Sequence, residues 1–239
     1  MCGIHTLIVR QIFSFLACLA VTTGVSQVYT SASIFAHNDY VSPIPFYTAY
    51  ELQVGFIEAD VFLHDGDLLV AHHEHEIEKG KNLETLYLKP LIKQIKKNKG
   101  SIYANPERTL TLMIDLKTEG MATLDKLVEK LNKYPGLISC STLQFMISGN
   151  VPDPTRWKDY PSFIHFDGRP GIAYNPEQLK RISMISTNFR DHVQWNGLGT
   201  LTDSDHKKIM ALMNEVHAKL HLFAIKPWFT NNRIQKTIY

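Results

Sequence analysis

The chain has 239 residues, 25 Lys+Arg against 23 Asp+Glu, 44% hydrophobic residues, 11 prolines and 13 glycines. That balance excludes a disordered tail, a collagen-like repeat, a disulfide scaffold and a multi-span membrane protein. A net charge of +2 with no basic stripe interleaved with aromatics excludes a dedicated nucleic-acid binder, and no feature points to an obligate protein partner.

At the N-terminus, Arg10 precedes an uncharged apolar run from Ile12 to Val25 that ends among Thr22, Thr23, Gly24 and Ser26. This pattern predicts a secretory signal over residues 1–27 and a secreted or periplasmic protein. The run is shorter than the ~20 apolar residues of a spanning helix; an uncleaved anchor is the alternative. Cleavage removes Cys2 and Cys18 and leaves Cys140 alone, so no internal disulfide is expected. Flanked by Ser139 and Ser141, Cys140 reads as a small spacer and not a nucleophile.

Residues 28–239 read as a single domain in which short apolar runs alternate with helical patterns, the signature of βα units around a parallel sheet. Ser33 to His37 is the first predicted strand. Ser42-Pro43 opens a short helix carrying Phe46, Ala49 and Leu52. Phe56 to Leu63 is a strand, His64-Asp65-Gly66-Asp67 a turn, and Leu68 to Ala71 its hairpin partner. An amphipathic helix follows over Leu83 to Lys97, with Leu86, Leu88, Leu91, Ile92 and Ile95 inward and a solvated lysine face. Leu110 to Leu116 is an apolar strand broken by Asp115, and Leu124 to Leu131 is helical. Further strands are predicted at Leu143–Ile147, Phe163–Phe166, Ile182–Ile185 and Leu222–Ile225, with a long helix from Thr202. About seven core strands result, one short of a closed eight-stranded βα barrel.

Glu58 and Asp60 stand two apart on a strand, so both carboxylates leave the same face. Among Phe56, Ile57, Val61 and Phe62, two like charges are costly unless a cation or protonation relieves them; solvent-facing acids on an edge strand are the alternative. Asp115 lies near the carboxyl end of its strand, where barrel enzymes hold catalytic groups, and an Asp115–Lys117 ion pair is the competing explanation. Three carboxylates with oxygen-only partners suit one hard divalent cation, Mg²⁺ or Ca²⁺, better than zinc. His37 and His72 each end a strand, and histidine titrates nearest neutrality of any side chain, which suits a general acid or base. The run His72-His73-Glu74-His75-Glu76 invites a zinc reading but lacks cysteine partners or HExxH spacing.

Four stretches in order carry a family resemblance: Ala36-His37-Asn38-Asp39-Tyr40, Gly55-Phe56-Ile57-Glu58-Ala59-Asp60-Val61, Asp65-Gly66-Asp67-Leu68-Leu69-Val70-Ala71-His72, and Leu112-Met113-Ile114-Asp115-Leu116-Lys117. Together they resemble the phosphatidylinositol phospholipase C-like phosphodiesterases, and the glycerophosphodiester phosphodiesterase branch in particular. The resemblance implies a TIM (βα) barrel with one divalent cation on Glu58, Asp60 and Asp115, and His37 and His72 as an acid–base pair across a phosphodiester. It also implies Asn38 as a fourth metal ligand and Lys117 at the phosphate; Arg169, which follows a predicted strand, is a further substrate-binding candidate. Where the glycerophosphodiesterase pattern has His-Arg-Gly and His-Asp, this chain has His37-Asn38-Asp39 and His72-His73, and the last barrel unit is expected to be atypical or truncated over residues 226–239, by an open barrel, a replaced C-terminus or a shortened chain.

The expected function is therefore a secreted metal-dependent phosphodiesterase acting on glycerophosphodiester-like or phospholipid-headgroup substrates. One alternative is a phospholipase C- or D-like enzyme making peripheral membrane contact through exposed aromatics such as Tyr40, Phe46 or Trp228. A catalytically silent phosphate-binding barrel is the other.

Overall fold

The computed structural model describes residues 30–218 and 223–226. The strands are β1 Phe35–Ala36, β2 Phe56–His64, β3 Asp67–Val70, β4 Leu110–Leu116, β5 Leu143–Gly149, β6 Ile164–Gly168, β7 Ile182–Asn188 and β8 Phe223–Lys226. The helices are α1 Tyr47–Glu51, α2 Lys89–Lys97, α3 Gly120–Asn132, α4 Pro135–Ile138, α5 Pro176–Leu179 and α6 Asp203–His217. The strands form one sheet in the order β1-β2-β4-β5-β6-β7-β8, every neighbouring pair parallel, with β3 hydrogen-bonded antiparallel to β2. Strands added in sequence order, with helices between several of them, make a βα barrel. It is incomplete: among the described residues seven parallel strands are present where a closed barrel has eight, and β1 does not pair with β8.

The pleat sorts side chains onto two faces. On the helix side, Ile57, Ala59 and Val61 of β2 and Leu112, Ile114 and Leu116 of β4 join Phe145, Ile147 and Phe166 in the main core. Against them α3 presents Leu124, Leu127 and Leu131, a stripe at helical spacing. Glu119 starts α3 by accepting the Met121 and Ala122 amides with its carboxylate. On the other face, Met113, Met146 and Met184 from β4, β5 and β7 pack together over Phe35 and Phe56. These five side chains form an apolar floor on the face that carries the acids.

Two local departures have physical causes. The helical stretch 83–97 is two elements, a π-helical turn over Glu84–Leu88 running into α2. The extra residue per turn rotates the inward stripe, so Leu83, Tyr87, Leu88, Leu91 and Ile95 are buried while Leu86 and Ile92 are only partly covered. Phe46, expected at the mouth of the barrel, is instead fully buried. Its φ of 67° turns the chain inward, the buried Asp39 carboxylate accepts its amide, and its ring stacks on Tyr50. It offers nothing to a membrane; Trp228 lies outside the described residues. Among the described residues, no helix is long and apolar enough to cross a membrane. Cys140 is buried and donates to the Gly100 carbonyl, consistent with a packing role.

Candidate active site

Parallel register builds the site. Asp60 on β2 is level with Asp115 on β4, and Asp115 is level with Ser148 on β5. Glu58 and Asp60 are each 2% exposed on an inner strand flanked by β1 and β4, which disposes of the edge-strand alternative. One carboxylate oxygen each from Glu58, Asp60 and Asp115 falls within 4.8 Å of the other two. His72, His73 and His75 form no comparable cluster among the described residues; their rings pack on one another instead.

Each imidazole is held by one of these acids. His37 Nε2 lies 3.2 Å from Glu58 Oε2, and His72 Nδ1 lies 3.1 Å from Asp60 Oδ2. A carboxylate can only accept, so the nitrogens facing it carry the protons, leaving His37 Nδ1 and His72 Nε2 as the free positions. Lys117 bridges two of the acids, 3.0 Å from Asp115 and 3.1 Å from Asp60. The Asp115–Lys117 ion pair thus forms, but inside the convergent site and not in place of it. Burial opposes the Lys117 charge, yet Asp115 and Asp60 outweigh it and raise the ammonium above the ordinary lysine range. Tyr40 donates to Asp60 Oδ2 at 2.8 Å, and burial together with that carboxylate pushes its phenol well above the ordinary tyrosine value.

Asn38 takes a left-handed conformation, φ 51°, and its amide donates to Glu58 Oε2 at 3.3 Å. Its side-chain Oδ1 is buried with no hydrogen-bond partner, a costly state that a cation ligand relieves. Arg169 lies across the cleft, its Nη1 2.6 Å from Asp167 Oδ2. Every residue expected to take part, His37, Asn38, Glu58, Asp60, His72, Asp115, Lys117 and Arg169, lines one cleft of about 270 Å³ together with Ser148, Ser186, Thr187, Asn188 and Asp191. The sequence reading missed the Asp167–Ser148–Ser186 group and gave Tyr40 no role at the acids. The available signal was Asp167 itself, an acid placed like Asp115 near the carboxyl end of a short strand.

Five carboxylates (Glu58, Asp60, Asp115, Asp167, Asp191) face two cationic side chains, Lys117 and Arg169, an excess of negative charge that a divalent cation would offset. The all-oxygen donor set and the orphaned Asn38 oxygen fit Mg²⁺ or Ca²⁺.

Residues 23–136 match the family model described as the AIM6-like phosphodiesterase domain. Three relatives are an Altered inheritance of mitochondria protein 6 homolog of Arthroderma benhamiae and the proteins of that name in Eremothecium gossypii and Kluyveromyces lactis. Their identities are 34%, 33% and 27%, over 46%, 41% and 54% of this chain. The matches cover 40%, 28% and 40% of those proteins, so the chain spans well under half the length of the curated relatives it matches. A solved glycerophosphodiester phosphodiesterase from Parabacteroides distasonis is similar over 85% of this chain and 86% of its own, at 13% identity and a TM-score of 0.45. The family match bears out the resemblance to the phospholipase C-like phosphodiesterases. It also begins at residue 23, inside the stretch read as a secretory signal. The secreted or periplasmic placement is corrected: the curated relatives are named for mitochondrial inheritance, which points away from secretion.

Proposed function

We propose that this chain, whose residues 23–136 match an AIM6-like phosphodiesterase domain of the phospholipase C-like superfamily, hydrolyses phosphodiesters with a divalent cation and a His37/His72 acid–base pair. The carrying observation is the acidic trio, Glu58 and Asp60 buried and Asp115 partly buried, with an imidazole nitrogen within 3.2 Å of each of the first two. A cation held by the trio and Asn38 would supply Lewis-acid polarisation of a phosphoryl oxygen.

The chain's own groups do the rest. Lys117 and Arg169 meet the non-bridging oxygens, where negative charge builds in the transition state. One imidazole takes the proton of a water or a substrate hydroxyl at its free nitrogen. The other, entering protonated, releases a proton to the departing alkoxide, so the pair ends with its protons exchanged and a P–O bond replaced. Glu58 and Asp60 fix both rings in position. The cleft volume suits a glycerophosphodiester-like or lipid-headgroup phosphodiester. A silent phosphate-binding barrel is the second reading, favoured by the absence of pairing between β1 and β8 among the described residues.

A panel of phosphodiesters assayed with Mg²⁺, with Ca²⁺ and with chelator tests the proposal. Activity abolished by chelator, and lowered on the order of 10²–10⁴ in His37→Ala and in His72→Ala, is expected. Turnover untouched by chelator or by both substitutions would refute it, and cation binding without any turnover would favour the silent barrel.

A further inference from the structure

We propose that Asp167 is a positioning residue that locks Arg169 in the orientation needed to bind the phosphate; this rests on the role given to Arg169 above. The Asp167 side chain is fully buried, yet it makes an ion pair with Arg169, which is 41% exposed at the cleft. A single oxygen, Asp167 Oδ2, accepts from Ser148 Oγ at 2.9 Å and Ser186 Oγ at 2.6 Å and lies 2.6 Å from Arg169 Nη1 as its ion pair. Arg169 Nη1 also donates to Ser186 Oγ and to the Gly168 carbonyl, both at 3.0 Å. One corner of the guanidinium is therefore fixed by two hydrogen bonds and an ion pair to groups on β6 and β7. Its Nε and Nη2 hydrogens have no partner among the described protein groups and remain for an anion.

Packing alone does not call for this arrangement. The other oxygen, Asp167 Oδ1, is buried without a partner, so the carboxylate bears desolvation that an amide or an apolar side chain would avoid. A bulge in the β6–β7 pairing at Phe166/Asp167 sets Asp167 level with Met184, and so on the same face as Met184 and Ser186. Backbone irregularity and an expensive buried charge thus serve the same end, a guanidinium held by one edge.

Calorimetric titration with inorganic phosphate at saturating Mg²⁺ tests this in wild type, Arg169→Ala, Asp167→Asn and the double variant, with thermal melts of each. Arg169→Ala should weaken phosphate by about tenfold or more. Asp167→Asn should weaken it roughly three- to tenfold with a melting temperature equal to or above wild type. The double variant should bind no more weakly than Arg169→Ala alone. Losses that multiply in the double variant, or a lowered melting temperature with unchanged phosphate affinity in Asp167→Asn, would overturn the assignment. Should Asp167→Asn not fold, Ser186→Ala removes one strut and must show the same loss of phosphate affinity. Unchanged binding in Arg169→Ala would instead remove Arg169 from the proposed function, and Asp167 with it.

Discussion

Gly149→Ala tests how tightly the end of β5 is built against the acids. Gly149 has φ 75°, a left-handed conformation that costs an L-residue about 1–2 kcal/mol. A β-carbon there would also overlap the Asp115 carboxylate and the Leu116 backbone on β4. Relieving that overlap means parting two hydrogen-bonded strands, at about 1–3 kcal/mol more. Gly66 is the internal control: its φ is 76°, and an added β-carbon meets nothing within 4 Å, so Gly66→Ala reports the conformational cost alone. Urea unfolding should show a loss of about 2–4 kcal/mol for Gly149→Ala and about half of that or less for Gly66→Ala. Because Asp115 is one of the atoms struck, Mg²⁺ titration should show weaker uptake in Gly149→Ala and none of that weakening in Gly66→Ala. Equal stability losses in the two variants would show that the β4–β5 end has room and that the crowding argument is wrong.

Arg181 donates to the carbonyls of Trp157, Tyr160, Pro161 and Ile164, tying the 3₁₀ helix Pro154–Asp159 and the residues after it to the start of β6. Arg181→Ala should lose about 2–4 kcal/mol in chemical denaturation, and Arg181→Lys should recover less than half, since an ammonium cannot span four acceptors. His165, whose Nδ1 is buried without a partner, has its pKa lowered by desolvation. The unfolded chain therefore takes up a proton at this site near pH 6.5 while the fold resists it. Stability is lost as pH falls through that value, and the loss ends below the lowered folded pKa. The drop in melting temperature between pH 7.5 and 5.5 should shrink in His165→Gln; an unchanged drop would mean His165 is solvated in the fold.

The acids of β2 were legible in the sequence because a strand has a period of two. Glu58 and Asp60 had to share a face, and Asp115, breaking an apolar run, had to sit at a strand end. His37 and His72 were placed by the strands they follow. What stayed hidden depended on backbone detail that residue type does not report. The π turn at 84–88 shifted the inward stripe by a residue, and a positive φ sent Phe46 into the core. The Ile182-Ser183-Met184-Ile185 run hides a bulge: Ile182 packs in the main core while Met184, two residues on, joins the methionine floor on the opposite face. Without it, Asp167, Ser148 and Ser186 have no visible reason to meet.

That division also explains how an acidic cleft can hold an anion. The strands β2 and β4 supply the carboxylates whose excess charge calls for a divalent cation. On the far side of β5, Arg169 follows β6 and is braced by Ser186 of β7, and in the proposed function its remaining N–H groups would meet an anion. Lys117 stands between, drawn to Asp60 and Asp115 but lining the same cleft as Arg169. A phosphodiester bound where these walls meet would see cationic groups from both sides, and the buried carboxylates would act on it only through the charge they hold in place. The metal-ligand candidates and the Arg169 guanidinium thus line different parts of one cleft of about 270 Å³. Parallel register enforces the separation, because Asp60, Asp115 and Ser148 stand at one level whatever their side chains carry.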